Sequence, residues 1–331
     1  MKYDFMFSSE EREQLTHLLD EQATSSVTPY TGYKEYMDAV LLLRGDARVP
    51  LRFAHFCNEI MRRDIKHNPL VVIGNCPIDS TLPVFDSKDP VRSKYMLKKT
   101  FVAEGFLALY SVLTGTSLIA HKSVNAGDFF HDIYPKESMF ETQSQKTLET
   151  LRFHRDFTNH FVTPDFVVTL TLRDTPENEV YSTFAINSEV IADLPGDLKR
   201  VLQEELFYTP YDDVSTTTMG QQLGRAKNHA IITDDAEIKL FEGRTVGLTD
   251  EARAALESMI QALHAHKITH IGIPGDCVSF ANNYVIHGRE VRQLRDIESL
   301  RRRWLMKTHN VYTLSTFEQY FLPEQYGVVN G

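Results

Sequence analysis

Up to about Leu113, apolar residues recur every three or four positions; beyond Ser117 they alternate with polar ones or run in short blocks. The first spacing predicts helices and the second predicts strands. Ser8 with Glu11 has the pattern of a capping box, and Leu15, Leu18 and Leu19 then fall on one face. "PLRFAHFCNEIMRR" places Phe53, Phe56, Cys57 and Ile60 at helical spacing. A longer helix is expected over 91–114, turning Phe101, Leu107, Tyr110 and Leu113 inward. These are core stripes rather than cofactor-binding faces.

"SLIAHKS", "DFFHDIY", "FVVTLTL", "VYSTFAI" and "ITHIGIP" are short, rich in β-branched and aromatic residues, and bounded by turn-formers, as strands are. Two helices are expected among them, over 187–205 and 250–266. Helices followed by many short strands suggest a β-sandwich or barrel wrapped by helices. No repeat, low-complexity tract or long linker divides the chain, and neither a G-x-G-x-x-G nor a Walker loop occurs.

Composition narrows the partners. With 42% hydrophobic and 24% charged residues, the 331-residue chain can bury a core without structural staples. Its 35 Lys and Arg against 45 Asp and Glu give a formal charge of -10, which disfavours nucleic acid. The three cysteines, Cys57, Cys76 and Cys277, suit neither a disulfide framework nor a thiolate zinc site, so a reducing cytoplasmic setting is expected. No signal-like or membrane-spanning apolar run is found.

The chemistry centres on "RFHRDFTNHF". If this is a strand, His154 and Asp156 project from one face about 7 Å apart along the chain. An H-x-D triplet alone is commonplace. Downstream, "IPGDCVSFANNYVIHGREV" offers His287 from a second strand. Two histidines and a carboxylate make a facial triad that leaves three adjacent positions open on Fe(II), although zinc accepts the same ligands. Past His287, "RRRWLMK" supplies arginines whose planar fork suits a distal carboxylate. A strand over 301–307 would put Arg301, Arg303 and Leu305 on one face.

In order and flanking residues the chain resembles the clavaminate synthase-like branch of the Fe(II)/2-oxoglutarate dioxygenases. That branch includes asparagine, arginine and lysine hydroxylases. The likeness runs over 105–312 and rests on His154, Asp156, "TPDFVVTLTLRD", "PGDCVSFANNYVIHGR" and the Trp-Leu after Arg303. It implies a double-stranded β-helix, or jelly-roll, core flanked by helices: one domain over 1–331, helical to about 115 and jelly-roll over 116–315. It implies His154, Asp156 and His287 as ligands of Fe(II), 2-oxoglutarate held by Arg303 with Thr183, and O2 as oxidant. It also implies Asn125, Gln143 and Ser144 as contacts of an amino-acid substrate.

Two features depart from the pattern. Many relatives use glutamate where Asp156 stands, and where relatives acting on basic side chains carry acids this chain has Lys239 and Phe241. Glu242 beside them, and Asp212 in "YTPYDDVSTT", are retained as candidate substrate contacts. Arg155, His160 and Arg289 read as packing or hydrogen-bonding residues. The implied activity is hydroxylation of an unactivated C–H of an amino acid or derivative. Alternatives left open are desaturation, a substrate tethered to a carrier protein, a zinc hydrolase, and a non-catalytic binding protein.

Overall fold

A computed structural model describes residues 1–23, 26–211, 215, 225–233 and 236–330. The helical N-terminal third comprises α1 (Ser9–Asp20), α2 (Tyr33–Leu42), α3 (Leu51–Ile60), α4 (Pro90–Leu97) and α5 (Val102–Leu113). The capping box forms as the sequence predicts: Ser8 Oγ accepts from the Glu11 amide and Glu11 Oε2 from the Ser8 amide. The single helix expected over 91–114 is instead broken. Lys98 turns inward onto Asp79 and Glu104, at 2.9 and 2.8 Å; the chain leaves helical geometry there and re-enters it after Phe101. Asp79 then accepts from the amides of Val102 and Ala103, capping α5 from a distant loop. A buried ion pair thus overrides a continuous apolar stripe.

The remaining chain builds two large sheets and a small three-stranded one. Strands β1 (Phe5–Met6), β2 (Leu70–Gly74), β3 (Ser117–His121), β4 (His131–Ile133), β5 (Leu151–His154), β6 (Phe166–Arg173) and β7 (Glu179–Ile186) come first. Helices α6 (Asn187–Asp193) and α7 (Gly196–Leu202) follow, divided at Leu194-Pro195 where a single helix was expected. After the short strands β8 (Phe207–Tyr208), β9 (Asn228–His229) and β10 (Val246–Gly247) comes α8 (Asp250–Ala265). Strands β11 (Ile268–His270), β12 (Cys277–Ala281) and β13 (Val285–Gln293) lead through α9 (Ile297–Arg301) to β14 (Trp304–Val311). Two more, β15 (Phe321–Leu322) and β16 (Gln325–Val329), close the chain.

The larger sheet runs β1-β2-β12-β6-β14-β3-β16-β15, with β4 also on β14; the smaller runs β11-β7-β13-β5. Val167 and Val278 of the larger pack against Phe184 and Val285 of the smaller. The outer face of the larger sheet is covered by α1, α2, α3 and α5, through Leu18, Val40, Phe53 and Phe106. The outer face of the smaller is covered by α6, α7 and α8, through Val190, Leu202 and Met259. The result is a mixed α/β stack of helices, sheet, sheet and helices. The site lies between the sheets. No helix among the described residues is long and apolar enough to cross a membrane.

Candidate metal centre and its two cavities

His154 ends β5 and His287 lies directly opposite it on β13, so both imidazoles point between the sheets. Their ring centroids are 4.3 Å apart. Asp156 sits just past the strand, not within it as the H-x-D spacing suggested. The chain turns away at once, with Phe157 at φ 55° and its ring stacked on His121. Asn282 fixes this turn, accepting from the Asp156 amide and donating to the carbonyls of Asp156 and Pro164. Asn282 is fully buried, so a short loop becomes as fixed as a strand.

The three side chains converge. One ligand atom from each of His154, Asp156 and His287 lies within 4.8 Å of the others. Asp156 Oδ1 is 3.3 Å from His154 Nε2 and 3.6 Å from His287 Nε2. His154 Nδ1 donates to the Arg152 carbonyl at 2.9 Å, which leaves its Nε2 as a lone pair. Burial and the neighbouring His154 press His287 down to about 4, so its imidazole is neutral near pH 7. Burial would raise the Asp156 carboxyl. The Lys307 charge, with the hydrogen bond from His309, outweighs it and holds the group well below the usual carboxylate range. Two imidazole lone pairs and an anionic oxygen facing one point suit a divalent cation.

The other carboxylate oxygen is occupied. Lys307 Nζ donates to Asp156 Oδ2 at 2.8 Å and His309 Nε2 approaches it at 3.1 Å. Gly288 lets His287 sit so close to β5: a Cβ there would stand 2.7 Å from the Leu151 carbonyl oxygen. The β13–β5 register also slips between His287 and Arg289. The extra residue of that slip lies on β5, and Arg289, two positions past His287, shares its inward face by alternation.

Two cavities meet at the triad, sharing Gln145, Leu151, His154, Asp156 and Lys307. The inner one, about 580 Å³, is bounded by Thr169, Ser182, Phe280, Arg289 and Arg303. Arg289 lies about 7 Å past His287 along the strand. Its Nη2 donates to the carbonyls of Thr147 and Glu149, both at 2.7 Å. Burial lowers Arg303 to about 10; burial and the nearby Arg303 lower Arg289 to about 9. Neither guanidinium forms an ion pair among the described residues. The outer cavity, about 670 Å³, is walled by Ser144, Phe157, Thr209, Tyr211, Phe241 and His309. Phe241 stacks on the His154 ring at 5.0 Å.

The other residues singled out in the sequence are placed less uniformly. Arg303 reaches the inner cavity, whereas Arg301 is in α9, paired with Glu298. Thr183 faces away from the cavity on β7, on the same side as Ala185 in the core beneath α8, and Ser182 lines the wall instead. Asn125 lines neither cavity: Lys146 donates to its Oδ1 and its Nδ2 donates to Asp132. Gln143 and Ser144 border the outer cavity, but both amide atoms of Gln143 are committed to backbone. Glu242 accepts from the Phe153 amide and His264, and lines neither cavity. Asp212 lies outside the described residues. Sequence reasoning missed Lys307, His309 and the inward aim of Arg289. Continuing the alternation from Arg303 through Leu305 reaches the first two.

No protein-family profile matches the chain. It is 23% identical over 279 residues to the L-lysine 3-hydroxylase of Catenulispora acidiphila, covering 82% of this chain and 75% of that protein. An asparagine oxygenase solved with Fe(II), 2S,3S-3-hydroxyasparagine and succinate superposes with a TM-score of 0.82 at 21% identity, over 99% of both chains. The chain has the fold of a non-heme iron oxygenase. OrfP, solved with Fe, succinate and (3S)-hydroxy-L-Arg, shares that oxygenase fold at a TM-score of 0.80 and 18% identity, over 98% of this chain and 99% of its own. The oxygenase fold extends over nearly the whole chain, beyond the 105–312 span of the sequence resemblance.

Proposed function

We propose that the protein is an Fe(II)- and 2-oxoglutarate-dependent oxygenase that hydroxylates an unactivated C–H of an amino acid or amino-acid derivative. In this reading the facing sheets are a double-stranded β-helix and 1–331 is one domain. The observation that carries the reading is the pairing of two features in one cavity. The convergent set His154, Asp156 and His287 shares it with two buried guanidiniums that form no ion pair among the described residues. A zinc hydrolase accounts for the first feature and leaves the second without a purpose.

His154 Nε2, Asp156 Oδ1 and His287 Nε2 would hold Fe(II). With 2-oxoglutarate and O2 it supplies the oxidant for R–H + 2-oxoglutarate + O2 → R–OH + succinate + CO2. The chain's residues orient and exclude. Arg303 and Arg289 take the far carboxylate of the cosubstrate, with Ser182 beside them in place of Thr183. Thr169, Val167, Phe184 and Phe280 wall the inner cavity against water. Lys307 and His309 fix the carboxylate so that a single oxygen faces the ion. The outer cavity opens onto the same point and receives the substrate, with Ser144 and Phe241 in its wall. The lysine hydroxylase relative and the hydroxylated amino acids in the asparagine oxygenase and OrfP structures support an amino-acid substrate.

The test is succinate release with Fe(II), 2-oxoglutarate and a panel of amino acids. At least one amino acid should stimulate release and gain one oxygen atom by mass. No stimulation across the panel would remove the substrate class.

A further inference from the structure

Besides its imidazoles, the outer cavity is lined by three ionised side chains: Arg155, Asp156 and Lys307. Each already meets an opposite charge within the protein. Lys307 lies 2.8 Å from Asp156, and Arg155 Nη1 lies 3.5 Å from a Glu237 oxygen. Among the described residues Asp156 is the only carboxylate on this wall, and its two oxygens face the triad histidines and Lys307. Glu242, next to Phe241 in sequence, turns the other way and accepts from the Phe153 amide and His264.

The part of the wall that the inner cavity does not share carries uncharged groups with partners of their own. Phe241 is buried, and its amide donates to Thr245 Oγ1. Its ring has the His154 ring 5.0 Å away and the Arg244 guanidinium 5.4 Å from its centroid, so it is no vacant acceptor for a further cation. Thr209 Oγ1 is hydrogen-bonded to His229 and Thr245, and Thr158 Oγ1 donates to the Arg155 carbonyl. Asn159 Nδ2 donates to the Thr209 carbonyl. A charged side chain brought here would give up much of its water and gain no counter-charge, whereas an uncharged one meets the rings of Phe157 and Phe241. From this wall we infer that the substrate's side chain is uncharged and that Phe241 sets the preference. The inference rests on the functional reading above and narrows its substrate class. Fe(II) and 2-oxoglutarate leave the balance unchanged, since a dication and a dianion enter together.

The test is calorimetric titration of protein loaded with Mn(II) and 2-oxoglutarate, in which binding is read without turnover. The ligands are three pairs close in shape and different in charge: arginine and citrulline, lysine and norleucine, glutamate and glutamine. The uncharged member of each pair should bind about 10-fold or more tightly than its partner. Phe241→Asp, with folding confirmed by its thermal midpoint, should move the arginine-to-citrulline affinity ratio towards arginine by about 10-fold or more. A ratio unmoved in the folded variant would take the preference away from Phe241. The wild-type titrations decide the substrate class even if that variant does not fold. A charged member that binds as tightly as its partner would overturn the inference and leave the oxygenase reading standing. Binding by none of the six would also overturn it, and succinate release with the wider panel then decides separately whether the oxygenase reading holds.

Discussion

Lys307 and Asp156, 151 positions apart in the chain, meet between the sheets at 2.8 Å, on the carboxylate oxygen that faces away from the two histidines. Removing one partner of a buried pair leaves the other charge uncompensated. Asp156→Ala is therefore expected to lower metal-free stability by about 3–5 kcal/mol. Asp156→Ala combined with Lys307→Met should recover a substantial part of that loss. Denaturant unfolding of the two single variants and the double variant in chelator measures it. Additive losses would mean that the pair is not coupled.

Gly288 is the position where the two histidine-bearing strands come closest. Gly288→Ala places a Cβ 2.7 Å from the Leu151 carbonyl oxygen and 3.0 Å from Thr183 Oγ1. Backbone cannot yield as a side chain tip can, so about 1–3 kcal/mol of stability should be lost. Since His287 is the adjacent residue, Mn(II) affinity should fall with it. Calorimetric metal titration and a thermal melt on one sample check both effects.

In the proposed reading Arg303 and Arg289 divide the recognition of the distal carboxylate, and of the two guanidiniums only that of Arg289 donates to backbone carbonyls. Losing a desolvated charge partner costs about 2–5 kcal/mol. Arg303→Met should raise the KM for 2-oxoglutarate about 30-fold or more. Arg303→Lys should fall between the two. The saturation curve for 2-oxoglutarate, at fixed Fe(II), is the measurement.

Three imidazoles behind the triad, on His121, His131 and His309, are wholly buried. Burial first, with charged neighbours, pushes His121 and His131 well below the ordinary histidine range and His309 to about 4. These groups stay neutral in the folded chain while the unfolded chain protonates them near pH 6.5. Stability is full above that pH and falls as pH drops below it, because the unfolded state binds more protons. His131→Leu should flatten the acid limb without lowering the midpoint near pH 8 by a comparable amount. Thermal midpoints of the metal-free protein between pH 8 and 5 check this.

Much of the architecture could be read from periodicity, since the apolar stripes of α1, α3 and α5 and the β-rich blocks lie where the spacing predicted. What escaped was set by contacts between distant segments. The break before α5 follows from Lys98 reaching Asp79, which no local pattern announces. At the site, the His154, Asp156 and His287 positions were legible from spacing and resemblance together. The directions of individual side chains were less so. Thr183 and Ser182 differ by one position, and the β7–β13 register sends the serine inward. Asn125 looked available from its neighbours in sequence, but Lys146 and Asp132 claim its amide in space. Charge pairing and register belong to the assembled sheets, and they decide which polar residues face the cavity.

The central claim is that His154, Asp156 and His287 hold a metal to which a keto acid is then added. Anaerobic titration of the Fe(II)-loaded protein with 2-oxoglutarate, followed by visible absorption, tests it most directly. The account predicts a saturable charge-transfer band in the wild type, absent in His287→Ala that is still folded by thermal melt. A folded, Fe(II)-loaded wild type that shows no band, or a His287→Ala variant that keeps the whole of it, would contradict the account.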